Sequence, residues 1–224
     1  MKYLILNLVA FVILGGVAAG VIFGLAGRWD LWNIWAYIGI LVAVLVFLTL
    51  VDYRKSPDLL KERFQPAAPG RVRWTTSRAF FVLSILQWII TGLDQRFHWS
   101  NVIPPSWVVA GLGIFAIGWG VAAWAGSVNP FFSPAVRIQE ERGHRVINAG
   151  PYAAMRHPGY LGFLLVSVAS PLALNSLLAL IPTVILVGNI ISVTTIEDRM
   201  LRDELAGYAE YAAKVRYRLI PGVW

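Results

Sequence analysis

The chain has 224 residues, 58% of them hydrophobic and only 14% charged, with a formal net charge of +7 and no cysteine. A soluble domain carries about 25% charged residues, so this composition belongs to a membrane protein. The basic excess fits loops facing anionic lipid headgroups and argues against nucleic acid as a partner, and the missing thiols exclude disulfides, thiolate metal sites, a cysteine nucleophile and prenylation of the chain itself.

The first apolar stretch runs from Tyr3 to about Gly27. It exceeds the core of a signal peptide, about 7–15 residues, and suits a spanning helix, which needs about 20. Gly16, Gly20 and Gly24 fall on one helical face and predict close helix packing there. A second span is expected from Ile34 to Val51. The segment 52–78, with Pro57, Pro66, Pro69 and several Arg, reads as an interfacial loop containing a short amphipathic helix. A third, shorter span covers Ala79 to Leu93, and a fourth covers Ser106 to Gly126. Between them, His98 beside Trp99 reads as an interface residue of an outer loop. Gly111, Gly113 and Ala116 have the spacing of a dinucleotide fingerprint, but no strand precedes them, so they read as a packing motif.

From Pro158 to Ile196 the chain runs 39 residues without a charge. That is too long for one crossing, and Asn175-Ser176 reads as a turn. A helical hairpin is expected, with arms at Leu161–Leu174 and Leu178–Thr195 and kinks at Pro171 and Pro182. Beyond it, apolar residues interleave with charges from Arg199 to Arg218. They predict an amphipathic helix on the membrane or over the loops. The expected fold is thus all-α, a polytopic transmembrane bundle of about six helices followed by a cytosolic amphipathic helix. It forms a single integral membrane domain, with a four-helix part at 1–126 and the candidate chemistry at 127–224.

Charge placement orients this bundle. With the N-terminus inside, the inner segments hold 17 of the 19 Lys and Arg, and only Arg28 and Arg96 lie outside. The positive-inside rule then puts both termini and the polar loops in the cytosol. Compact size and the lack of an organelle signal suggest a bacterial inner membrane.

Two polar stretches could carry chemistry. The first runs from Gln139 through His144, Arg145, Val146, Ile147, Gly150, Pro151 and Tyr152 to Arg156-His157-Pro158-Gly159-Tyr160. Pro158 disfavours helix at His157 and holds it in an extended turn. Arg and His on such a backbone suit an anion-binding mouth, or an interfacial loop meeting lipid phosphates. The second stretch is Glu197-Asp198, suited to ribose hydroxyls or an ammonium group, or else the solvated first turn of a following helix.

Together with Leu201, Tyr208, Tyr211 and Pro221, these residues make the last third of the chain resemble the isoprenylcysteine carboxyl methyltransferase family. The wider group includes the phospholipid methyltransferases. The resemblance implies a membrane enzyme that uses S-adenosyl-L-methionine in a cytosolic pocket, without a Rossmann domain. Carried over, Gln139, His144, Arg145, Val146, Ile147, Tyr152, Arg156, His157, Pro158, Gly159 and Tyr160 would line that pocket, with Glu197 opposite. Arg156, His157 and Glu197 form the implied catalytic set, and Arg156 or His157 would meet the cofactor carboxylate. No metal is implied. The acceptor would be a lipophilic or prenylated molecule from the bilayer. The eukaryotic prenylcysteine enzymes carry an Arg one turn before the acidic pair, where this chain has Val193, so a farnesylcysteine analogue is expected to be a poor substrate. Two other classes remain open: an NADPH-dependent membrane reductase resembling the sterol reductases, and a non-enzymatic lipid-binding component.

Overall fold

The computed structural model describes residues 1–55, 57–62, 76–100, 102–133 and 136–224. Among these, the chain forms α1 (Lys2–Ala26), α2 (Trp32–Lys55), a short α3 (Pro57–Glu62), α4 (Thr76–Phe97), α5 (Pro105–Val128), α6 (Pro158–Ala173), α7 (Leu180–Glu204) and a short α8 (Tyr208–Lys214). Two single 3-10 turns, Glu140–Arg142 and Gly150–Ala153, punctuate the loop before α6. No strand occurs among the described residues.

The protein is a multi-pass helical membrane bundle. Helices α1, α2, α5 and α7 are long and apolar enough to cross a bilayer, while α6 is a shorter apolar helix of 16 residues. The third expected span is longer than the sequence suggested, because α4 continues through Asp94 and Gln95 to Phe97. Both of these polar residues are buried in a knot of hydrogen bonds. Asp94 accepts from the Ser100 backbone (2.6 Å), the Ser100 hydroxyl (2.5 Å) and the Ser176 hydroxyl (2.5 Å). Gln95 donates to the carbonyls of Leu174 and Asn175. The knot fixes the expected turn, where Asn175 takes a left-handed φ of 54° and its side chain accepts from Ile103 N–H. His98 likewise adopts a φ of 55° and closes α4 by donating to the Asp94 carbonyl.

The most extensive helix pair is α5 against α6. Glycine permits it: a Cβ on Gly118 would lie 2.8 Å from the Gly162 carbonyl, and one on Gly162 would lie 2.6 Å from the Gly118 carbonyl. Gly111 is equally tight, 2.6 Å from Ala173 N, which makes it the packing residue expected. The stripe on α1 is a correction. Gly16, Gly20 and Gly24 have nothing within 4 Å of an added Cβ, and it is Gly15 that faces the Val42 side chain of α2.

Two further expectations change. Pro182 lies in the first turn of α7, where a missing N–H breaks no helical hydrogen bond, so only Pro171 sits inside a helix. The tail is not one amphipathic helix. α7 runs on to Glu204, Gly207 breaks it with a φ of 81°, and α8 has only seven residues. Its apolar face, with Leu205, Tyr208 and Tyr211, packs on Ile138 and Val146 of the loop between α5 and α6. Within the segment 52–78, α3 supplies a short helix whose Leu60 carbonyl accepts from Asn7 of α1 at 3.2 Å; residues 63–75 of that expected interfacial loop lie outside the described residues.

Candidate functional site

Asp198 organises the end of the bundle where α5 finishes and α6 begins. Its carboxylate is fully buried on α7. Arg156 reaches it twice, through Nε (2.6 Å) and Nη2 (3.1 Å). Arg218 Nε donates at 2.9 Å and Arg202 Nε at 3.2 Å. The Tyr208 hydroxyl donates at 3.1 Å, and His157 Nε2 stands 3.3 Å away. A carboxylate taken from water needs this many partners to remain an anion.

The same residues splice the tail onto the loop. Arg156 Nη1 donates to the carbonyls of Val215 and Arg216, both at 2.7 Å. The backbone N–H groups of Arg156 and His157 donate to the carbonyls of Tyr217 and Arg218. Tyr211 donates to the Tyr152 carbonyl at 2.6 Å. The guanidinium of Arg156 is thereby committed to Asp198 and to main-chain oxygens. It is not the free anion receptor that the sequence suggested.

Above this scaffold lies a cavity of about 440 Å³, within the range of small-molecule sites. Its wall includes His144, Arg145, Val146, Ile147, Tyr152, Arg156, His157, Gly159, Tyr160 and Glu197. Ten of the twelve expected site residues therefore meet in one place. Gln139 and Pro158 are corrections. Gln139 is buried behind the wall, donating to the Phe131 carbonyl (2.8 Å) and accepting from Arg142 (2.5 Å), so it braces the loop. Pro158 starts α6, where its ring fits the first helical position. Gly159 admits the Phe132 ring, with which an added Cβ would collide.

Glu197 joins the wall through Tyr160, whose hydroxyl donates to its Oε2 at 2.6 Å. It lies within α7 and not in the first turn of a following helix. Arg145 is exposed at the rim. His144 stacks on Phe131, ring centres 4.5 Å apart, and its Nδ1 accepts from Gln139 N–H, which fixes a neutral ring with the proton on Nε2. Burial, and then the charges of Arg137 and Arg142, lower its pKa from 6.5. Burial pushes the Tyr152 phenol well above its ordinary range, only partly opposed by the hydrogen bond from Asn129. The Tyr211 phenol is pushed up to about 12, again chiefly by burial. Both phenols stay neutral at physiological pH.

The sequence reading missed the far half of the cavity. Phe11 of α1, Leu45 and Leu48 of α2, Phe80 of α4, Trp119 of α5 and Asn189 of α7 all line it. None belongs to a motif, and each would pass as ordinary membrane-helix composition. Val193, the position where a substrate Arg was missing, is buried and outside the wall.

Residues 109–203 match the model of the isoprenylcysteine carboxyl methyltransferase (ICMT) family. This segment, less than half of the chain, is similar to that family. It carries α6, α7, Asp198 and most of the cavity wall. Among its curated relatives are two described as "Probable protein-S-isoprenylcysteine O-methyltransferase", from Oryza sativa subsp. indica and subsp. japonica. Each is 33% identical over 86 residues, which is 38% of this chain and 45% of the relative. The chain thus spans less than half the length of these relatives. The fold is also similar to the structure of the eukaryotic intramembrane Ras methyltransferase ICMT, with a TM-score of 0.54 at 18% identity, over 94% of this chain and 74% of the other. At that identity the likeness concerns the fold. The matched segment and the remaining helices therefore share one membrane architecture.

Proposed function

We propose that this chain is an integral membrane methyltransferase that uses S-adenosyl-L-methionine and acts on a lipophilic acceptor entering from the bilayer. The observation that carries this reading is the cavity itself. Its loop end is polar at the neutral His144 and cationic at Arg145. Its middle holds one carboxylate, Glu197, and its far end is apolar. Such a gradient suits a zwitterionic donor at one end and a lipid-like acceptor at the other.

The donor supplies an electrophilic methyl group on a sulfonium, for transfer by in-line displacement. The residues present fit such a donor. Arg145 offers an exposed cation to a carboxylate, and Glu197 offers oxygens to a ribose diol or an ammonium group. Tyr152 and Tyr160 present aromatic faces suited to a sulfonium. Arg156 and His157 act one step back, by fixing Asp198 and the tail so that the wall keeps its shape. The chain's main contribution is alignment in a site from which water is excluded. A carboxylate acceptor, ionised at neutral pH, would need no general base, whereas an amine would first lose a proton. With both termini at this end of the bundle, the charge distribution would place the site on the cytosolic side, where anionic lipids meet the Arg-rich loops.

Calorimetry tests the donor: S-adenosylhomocysteine is expected to bind, and Arg145→Ala is expected to weaken it roughly threefold to tenfold, the range for losing a net charge-assisted contact at a rim. Binding of NADPH with no binding of S-adenosylhomocysteine would establish the reductase reading instead. Incubation with methyl-labelled donor and a total lipid extract identifies the acceptor. Efficient esterification of a farnesylcysteine analogue would assign a prenylcysteine carboxylate and overturn the expectation drawn from Val193.

A further inference from the structure

Residues 214–224 contain Lys214, Arg216 and Arg218 and no Asp or Glu. Arg218 is engaged within the protein, through Asp198 at 2.9 Å and the Trp224 ring, whose centre lies 5.1 Å from the guanidinium carbon. Lys214 and Arg216 are exposed, and neither takes part in an ion pair among the described residues. Beside them Tyr217, Ile220 and Val223 are 38%, 41% and 75% exposed. These side chains are displayed by a folded turn. Leu219 is buried, its N–H donates to the Trp224 carbonyl at 3.0 Å, and the N–H groups of Val223 and Trp224 donate to the Ile220 carbonyl. A fixed surface that is cationic and apolar at once suits the boundary between lipid headgroups and acyl chains.

The height of this turn follows from α6. The carbonyls of Tyr217 and Arg218 accept the N–H groups of Arg156 and His157, so the turn lies level with the start of that helix. The 16 residues of α6 are about 24 Å long. Just past its other end, Ser176 bonds to Asp94 near the end of α4. A hydrocarbon core is about 30 Å thick. With the turn after α6 at one boundary, the start of α6 lies at or within the other. Tyr217 and Arg218 are therefore held at the edge of the hydrocarbon. The last turn of α7 projects further, because Asp203 follows Asp198 by five residues, about 8 Å along the axis.

We propose that residues 214–224 form a docking surface for anionic lipid headgroups. Tyr217, Ile220 and Val223 meet the upper acyl chains, and Lys214 and Arg216 meet the phosphates. The occupant is a lipid because the surface stands at bilayer height and carries charge of one sign. The bilayer thereby becomes a structural partner of the cavity wall, since the same segment supplies the carbonyls that hold Arg156. The inference concerns lipid binding alone and does not depend on the methyltransferase reading.

The chain has no cysteine, so Val223→Cys accepts a single fluorophore on the full chain in phosphatidylcholine nanodiscs. The quenchers are phosphatidylglycerol or phosphatidylcholine, each with a nitroxide high on its acyl chain and at equal fraction, and aqueous iodide. The label is expected to be quenched by the lipids and shielded from iodide, and a label at Ile220→Cys should behave alike. A label at Asp203→Cys is expected to show the reverse. Labelled phosphatidylglycerol should quench about fivefold or more better than labelled phosphatidylcholine, the factor for one cation at an anionic surface. Replacing Lys214 and Arg216 by Gln should bring that ratio to about one. Lys214→Arg with Arg216→Lys keeps both charges and should keep the ratio. Quenching of the Val223 and Ile220 labels by iodide and not by lipid would overturn the docking surface. So would equal quenching by the two lipids, or a preference that survives the loss of both cations.

Discussion

Asp198→Asn is the perturbation that separates scaffold from chemistry at this site. The substitution is isosteric, but it removes the one negative charge facing Arg156, whose side chain is 2% exposed. Removing one partner of a buried ion pair costs about 3–5 kcal/mol, because the other charge is left uncompensated. Arg202 and Arg218 are 44% and 29% exposed, so water screens them and they add little to that figure. For a chain of this size each kcal/mol moves Tm by about 2–4 °C. A fall of roughly 6–20 °C is therefore expected, read by thermal unfolding in detergent. The double variant Asp198→Asn with Arg156→Met removes the orphan cation as well and should recover part of the loss. Recovery stays incomplete, because Arg156 also holds the carbonyls of Val215 and Arg216. A drop below about 2 °C for the single variant, or a double variant no more stable than the single, would refute the view that Asp198 compensates a buried charge.

The remaining expectations concern packing, pH and the tail. Gly162→Ala should destabilise by about 1–3 kcal/mol through overpacking, because its Cβ would approach the Gly118 carbonyl to 2.6 Å, whereas Gly20→Ala, with open space around it, should not lower Tm; equal losses would contradict the packing described. His144 titrates below 6.5 in the folded chain, so the unfolded chain binds the proton more readily. Its contribution to stability is therefore complete above about pH 6.5 and is lost as the pH falls through the lowered folded value. Unfolding scans between pH 7.5 and 5 should show this slope, and His144→Phe should flatten it. Tyr211→Phe removes the donor to the Tyr152 carbonyl and should cost about 0.5–1.5 kcal/mol, seen as greater proteolytic cleavage near residues 205–218.

Much of the fold was legible because membrane helices are written in long uncharged runs and their ends in Pro, Gly and charge. Asn175-Ser176 marked the hairpin turn correctly, while α6 opens at Pro158, three residues before the expected arm at Leu161. What the sequence could not show was which glycines face a neighbour. Gly16, Gly20 and Gly24 have the periodicity of a contact stripe, but the face opposite them is empty, and helix rotation is set by partners whose positions are not local information. The same limit hid Asp198. Adjacent carboxylates at 197 and 198 point about 100° apart on a helix, so one meets the cavity and the other the arginines. Only the three-dimensional positions of Arg156, Arg202 and Arg218 assign which does which. Phe11, Leu45 and Asn189 carried no signal at all, since which helix residues line a cavity becomes visible only when the helices have been packed together.

The wiring of Asp198 also explains why motif residues at 156–157 and apolar residues at 205–215 belong to one functional unit. The loop before α6 has little regular structure of its own, only two single 3-10 turns. It cannot hold Tyr152, His144 and Arg145 in a fixed wall by local hydrogen bonding. Its order comes from outside: the tail lays Leu205 and Tyr208 against Ile138 and Val146, and Tyr217 and Arg218 accept the backbone N–H groups of Arg156 and His157. Asp198 ties both to α7 by charge. A wall built this way forms cooperatively, so loss of the tail should abolish the cavity and not merely widen it, even though no residue beyond Tyr211 lines it. Truncation after residue 214 tests this directly. The helical bundle, read by far-ultraviolet circular dichroism, should persist, while S-adenosylhomocysteine binding should disappear. Retention of binding within threefold of the full chain would show that the loop orders itself, and the tail would then be packing without consequence for the site.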